Sequence, residues 1–301
     1  MKHQLTNPVS ANLAVFMSLI FWSVGFPLGE VLLESWGAVS LVIYRQGLAV
    51  LLLLAIWLLV DSWTEIKSAP WKKGLGVGSI GFGLGAILLL YGQKISDAVT
   101  PAIAVAMMPI AGALIEIMMD KRIATFRFIA GALCALTGGI IATGANLADG
   151  KISLGALLCL VAVILFSWGT RGSTKGLPGI SPAGQTAITM VGSLAFMCMV
   201  YFISGFFGSE ENIIGSLEGK LFYYFLIFSL VSVSIAQSLW ILGAARLGIF
   251  LASLHMNALP FYVMAILVVW QGQEWNSLQA LGALIVAIGV VVAQSEKPAY
   301  R

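Results

Sequence analysis

"GALCALTGGIIA" at residues 131–142 and "GALIVAIGVVVA" at residues 282–293 decide the fold. Both stretches are free of charge, carry glycine at their first and eighth places and end on alanine. They are 151 positions apart. The same offset sets Pro109 on Pro260, so two consecutive apolar segments of the first half return in the second.

Outward from this pair the chain stays apolar. Of its 301 residues 59% are hydrophobic and only 10% charged, with mean hydropathy +0.98. Runs of about 20 apolar residues are long enough to cross about 30 Å of hydrocarbon as helices. Ten such runs are expected, at roughly 11–31, 38–60, 73–92, 98–119, 126–144, 153–172, 182–206, 221–243, 248–270 and 278–294. The fold class is an all-α integral membrane protein. The first run has a basic start but no small-residue cleavage site after it, so it is read as a retained helix. Cys134, Cys159 and Cys198 all fall inside apolar runs, and an odd number gives no disulfide framework.

Ten crossings form two five-helix repeats, 1–148 and 149–301. Five is odd, so the second copy enters the membrane from the opposite side and the repeats are inverted. Near their starts, "IFWSVG" and "LFSWGT" hold Trp22 and Trp168 in similar places. Inverted repeats are typical of secondary transporters, whose substrate site lies near the midplane between the halves.

Basic residues set the orientation. One set of connections holds Lys2, Lys67, Lys72, Lys73, Lys121, Arg122, Arg127, Arg171, Lys175, Arg246, Lys297 and Arg301. The other holds Lys94, Lys151 and Lys220. Twelve against three places both termini in the cytoplasm, as a multi-pass protein of the cell inner (plasma) membrane. The net charge of +3 is accounted for by loop residues, so no nucleic-acid partner is indicated.

"YRQG" at 44–47, "LYGQKISDAVTPAIAVAMMPIAGALIEIMMDKR" at 90–122 and "LWILGAARLGIFLASLHMNALPFYVMAILVVWQGQEW" at 239–275 carry a resemblance to the drug/metabolite transporter superfamily, in its EamA-type branch. The resemblance implies an exporter or permease of small metabolites, amino acids among them. It also implies a central cavity lined mainly by helices one, three, four, six, eight and nine. Glu274 matches an acidic residue typical after helix nine, while "MMDKR" is a less regular relative of it in the first half.

Within the runs, rare polar and aromatic groups are the candidates for the site. Arg45, which matches an arginine common in that family, lies about 10 Å inside helix two. It is read as an anchor to carbonyls or headgroups, or as a gate paired with Glu30 or Glu34. Glu116 is one turn from the end of its helix, where it can snorkel or pair with Lys121 or Arg122. These two are the gating or coupling candidates. Trp22 and Trp168 are expected on the cavity walls, where indole faces suit a flat or cationic substrate. Tyr91, Gln93, Gln237 and Trp240 offer hydrogen bonds to substrate or between helices. "GFGLG" at 81–85 follows no strand and is read as a place of close helix packing, not as a phosphate loop.

"SLHMNALP" at 253–260 stands where the first half has "AIAVAMMP", pairing His255 with Ala104 and Asn257 with Ala106. Polarity here is a property of the second half alone. At 100° per residue, Ser253 and Asn257 share one stripe, while His255 shares another with Tyr262. The His255 and Tyr262 stripe is assigned to the cavity, with Asn257 the rival substrate contact. His255 could read a carboxylate or carry a proton, which makes proton coupling an expectation.

An intramembrane enzyme would need a nucleophile with its base, paired carboxylates or a metal cluster. The sequence offers two histidines, no "HExxH" and no acidic pair within the membrane. No enzyme activity, metal or cofactor is expected. The reading is a secondary transporter of a small organic metabolite, an amino acid or related compound, working by alternating access, with export favoured. The alternatives are uptake through the same fold and a non-transporting receptor or scaffold.

Overall fold

The computed structural model describes residues 8–142 and 153–295. Lys2, Lys151, Lys297, Arg301 and the expected boundary between residues 148 and 149 lie outside the described residues. The apolar helices are α1 (Pro8–Leu33), α2 (Ala38–Val60), α3 (Trp71–Lys94), α4 in two arms (Val99–Ala106 and Met108–Met119) and α5 (Phe126–Ala142). They continue as α6 (Leu154–Thr174), α7 (Pro182–Phe206), α8 (Lys220–Leu247), α9 (Leu251–Gln271) and α10 (Ser277–Ala293). No strand occurs among the described residues.

Seven of these helices are long and apolar enough to cross a membrane, and the two arms of α4, bent by 44°, make an eighth if counted together. Helix α10 has 17 residues, about 25 Å of rise, which falls short of the hydrocarbon thickness, and α5 has 17 among the described residues, which end at Ala142. Helix length thus carries seven or eight of the ten expected crossings.

The breaks in these helices follow from the sequence. Pro109 and Pro260 cannot donate to the helical ladder and crowd the carbonyl four residues earlier. Helix α4 breaks at Met107, and α9 tightens to a 3₁₀ turn over His255–Ala258. Those two breaks coincide under the 151-residue offset. The offset also superposes two π-helical stretches, Gly78–Leu84 in α3 and Ile227–Ile235 in α8. Such wide turns reset which residues face inward.

The halves interlock. Helix α1 packs on α8, and its counterpart α6 packs on α3; α2 packs on α7, α4 on α9 and α5 on α10. Each contact is either between equivalent helices or has its exchanged twin. The seam of α5 and α10 runs antiparallel: Gly131 lies against Gly289 and Ala293, and Gly138 against Gly282 and Val286. A Cβ on Gly131 would stand 2.3 Å from the Ala293 nitrogen, so these glycines are what let the two backbones meet. Equivalent helices lying antiparallel is the geometry of an inverted repeat.

Close approach is also the role of "GFGLG". A Cβ on Gly81 would come within 2.5 Å of the Gly169 Cα, and one on Gly85 within 2.8 Å of the Phe166 ring.

Candidate functional site

Between the halves lies a cavity of about 130 Å³. Helix α1 presents Trp22, Gly25 and Phe26 to it, a stripe at the i, i+3, i+4 spacing of one helix face. Helix α3 presents Phe82, Ala86, Leu89 and Gln93; α8 presents Phe228, Ser232, Val233, Gln237 and Trp240. Under the 151-residue offset Phe82 meets Val233, Ala86 meets Gln237 and Leu89 meets Trp240. Met108 of α4 and its counterpart Leu259 of α9 also line the cavity. The wall is therefore built twice from the same positions, filled with different side chains.

The polar groups on this wall fall into two sets. Some are satisfied by the fold. The Trp240 indole donates to Thr170 Oγ1 at 3.3 Å, Gln46 donates to the Met190 carbonyl at 3.4 Å, and Gln93 donates to the Phe26 carbonyl at 2.7 Å. Others are buried without a partner: Arg45 Nε, Ser232 Oγ and Gln237 Nε2. The Arg45 guanidinium lies 4.7 Å from the centroid of the Phe228 ring, a cation–π contact. Trp22 and Trp240 tilt against each other with ring centroids 5.6 Å apart.

Arg45, Trp22, Gln93, Gln237 and Trp240 come together here, whereas Trp168, Tyr91, Tyr262, His255 and Asn257 do not. Arg45 pairs with neither Glu30 nor Glu34, and it lines the cavity. Trp168 is half-buried and off this wall, because Phe166 and Thr170, four residues apart, hold the inward face of α6 and Trp168 points away from it. Tyr91 is partly exposed, two residues before the cavity-facing Gln93. Tyr262 packs edge-on against Phe16 at 6.4 Å. His255 and Asn257 occupy the 3₁₀ turn of α9 off the cavity wall, with His255 Nδ1 and Asn257 Oδ1 buried and unpartnered.

The cavity lies between two sets of ion pairs. At the end where α1 begins, which carries most of the basic loop residues, Arg171 and Lys175 of the second half both bind Asp120 of the first, Lys175 at 3.3 Å. The Arg171 hydrogen bond is the main cause holding the Asp120 carboxyl below its ordinary range. Glu116 pairs with Arg122 at 2.8 Å beside them, and with Arg171 and Ser253 it lines a crevice of about 10 Å³. At the opposite end Lys94 of the first half pairs with Glu211 of the second at 2.8 Å, and Glu211 also accepts from the Ala38 backbone N–H at 2.7 Å.

The apolar wall was harder to foresee. Phe26, Phe82, Phe166 and Phe228 resemble any lipid-facing phenylalanine in sequence. Their signal is periodic: residues 82, 86, 89 and 93, like 233, 237 and 240, follow one helix face, and the repeat offset superposes the two stripes.

A solved crystal structure described only as "Crystal structure of protein" resembles the chain with a TM-score of 0.68 at 18% identity, over 95% of this chain and 97% of that one, which shows a shared fold. No curated protein matches the sequence at a significant level. The helices long and apolar enough to cross a bilayer make this a multi-pass membrane protein. The EamA-like transporter family matches residues 9–144 and again residues 153–294, once for each half, and the chain therefore belongs to that family of membrane transporters.

Proposed function

We propose that the protein is a secondary transporter that moves a small organic metabolite, an amino acid or related compound, out of the cell by alternating access between its inverted halves. The observation that carries this reading is the cavity between the halves, lying between cross-half ion pairs at both ends. Rocking of one half against the other would break one set while the other holds, exposing the cavity to each side in turn.

In this reading the two repeats, 1–148 and 149–301, make ten crossings. Helices α5 and α10 complete the count as a short paired seam. Both termini lie in the cytoplasm, because the basic loops gather at the end where α1 begins. Trp22, Gln237 and Arg45 contact the substrate, and Glu116 belongs to the cytoplasmic gate. His255 and Asn257, unpartnered in a helix break, are assigned to coupling, with His255 the proton carrier. Uptake through the same fold is the alternative in direction, since a carrier follows its gradients.

Counterflow in proteoliposomes tests this. Vesicles preloaded with each of a panel of unlabelled amino acids and organic acids should accumulate the same labelled compound for at least one member. Absence of protein-dependent accumulation across the panel would favour a receptor or scaffold. An imposed pH gradient should drive uphill movement in wild type, and His255→Ala should lose that drive while keeping counterflow.

A further inference from the structure

Among the residues lining the cavity Arg45 alone is charged. It makes no ion pair or hydrogen bond with any described residue, and its guanidinium lies over the Phe228 ring. A cation at this depth is expensive, and an uncompensated one more so. Arg122 and Arg171, at the basic end of the bundle, both have carboxylate partners. Arg45 is left free to find its counter-charge in whatever enters the cavity.

The neighbours of Arg45 narrow the ligand. Ser232, on the turn of α8 after Phe228, and Gln237 beyond it supply two further unpartnered donor groups. No carboxylate lines the cavity, so nothing there neutralises an ammonium group. The rest of the wall is apolar and aromatic.

We propose that Arg45 anchors the carboxylate of a small monoanionic organic acid, whose apolar body rests against Trp22, Trp240 and Phe166. This rests on the transport reading above and narrows its substrate, from amino acids and related compounds to acids that carry no ammonium group. A guanidinium matches a carboxylate with two parallel N–H···O bonds. A phosphate monoester, with a charge of about −1.5 to −2, would keep excess charge in an apolar cavity that offers one cation. A cationic substrate, which the indole faces alone would accept, is repelled by Arg45.

Three compounds of one shape test the anchor on the purified full-length protein in detergent: phenylacetate, its neutral amide phenylacetamide, and phenethylamine. A ligand of the native state raises the midpoint of thermal unfolding. Phenylacetate should raise it and the other two should not. Arg45→Gln should require about 10- to 100-fold more phenylacetate for the same shift, the usual cost of a lost charge-assisted hydrogen bond, and Arg45→Lys should fall between. Without ligand, Arg45→Gln should unfold no lower than wild type, because it removes an uncompensated charge. The anchor is overturned if phenylacetate gives no shift, if phenethylamine gives the larger one, if Arg45→Gln binds as wild type does, or if its ligand-free midpoint drops sharply, which would mark a structural arginine. Counterflow of the same compounds separates the two readings. Phenylacetate binding without flux refutes transport and leaves the anchor, whereas phenethylamine flux without carboxylate binding refutes the anchor and leaves transport.

Discussion

Helices α5 and α10 are near-copies of each other while α3 and α8 are not, although one 151-residue offset relates both pairs. In the seam, Gly131 and Gly282, Gly138 and Gly289, and Ala142 and Ala293 match because two backbones must approach there and a larger side chain would collide. On the cavity wall the equivalent positions hold Ala86 and Gln237, Leu89 and Trp240, Phe82 and Val233. These side chains border the cavity instead of a facing backbone, so no close backbone approach enforces identity. Duplication supplies the scaffold, and divergence at equivalent inward positions supplies a wall whose two halves differ chemically.

The comparison is broken most forcefully in the seam. Gly131→Val would drive its side chain into the Gly289 carbonyl and the Ala293 nitrogen, and should cost about 3 kcal/mol as overpacking. The expected outcome is loss of the monodisperse folded protein on size exclusion; a wild-type profile would show the seam to be loose.

The cavity should behave in the opposite way. Giving α8 the residue of its first-half twin, as Gln237→Ala, removes an amide nitrogen that has no partner and should change stability by less than about 0.5 kcal/mol. Trp240→Leu loses the indole bond to Thr170 and the contact with Trp22, and should weaken ligand binding about ten-fold, from roughly 1.5 kcal/mol of lost aromatic contact. Thermal midpoints of both variants, read with and without phenylacetate, check this. A stability loss in Gln237→Ala as large as that of Gly131→Val would erase the distinction between scaffold and wall; Trp240, buried in the core, is read by its ligand shift alone.

The ends of the bundle should show a modest effect that depends on pH. Asp120 has its carboxyl held low, mainly by Arg171. A lowered folded value means that the stabilisation is fully present above the unfolded carboxylate range, and is lost as pH falls through the folded value. Wild type should therefore lose about 1 kcal/mol more than Asp120→Asn between neutral and acid pH, a modest figure because the ions are partly solvated. Parallel pH profiles of the thermal midpoint would remove Asp120 from the closure. Lys94→Met should cost still less, since Lys94 and Glu211 are both partly exposed.

The scaffold was legible in the sequence because its constraints act on backbone. Glycine, alanine and proline at fixed offsets marked the duplication, and Pro109 and Pro260 marked where α4 and α9 break. Part of the cavity was legible because polarity is rare in such segments, which drew attention to Arg45 and Gln237. The same rule drew attention to His255 and Asn257, which lie off this wall because α9 tightens into a 3₁₀ turn and changes the direction of its side chains. Trp168 was matched to Trp22 by residue type, although Phe166 and Thr170 hold the inward stripe of α6. Helix length also departed from expectation, since α10 is shorter than a full crossing and packs chiefly on α5.

The central claim is that the two halves move against each other, and that the ion pairs at the end where α1 begins hold one of two states. Placing Asp120→Cys and Arg171→Cys in one protein puts a thiol from each half where Asp120 and Arg171 now meet. Counterflow is then measured in proteoliposomes before oxidation, after oxidation and after reduction, with the native cysteines replaced. The account predicts flux in the reduced protein, arrest on cross-linking and recovery with reductant. Undiminished flux through the fully cross-linked protein would contradict it.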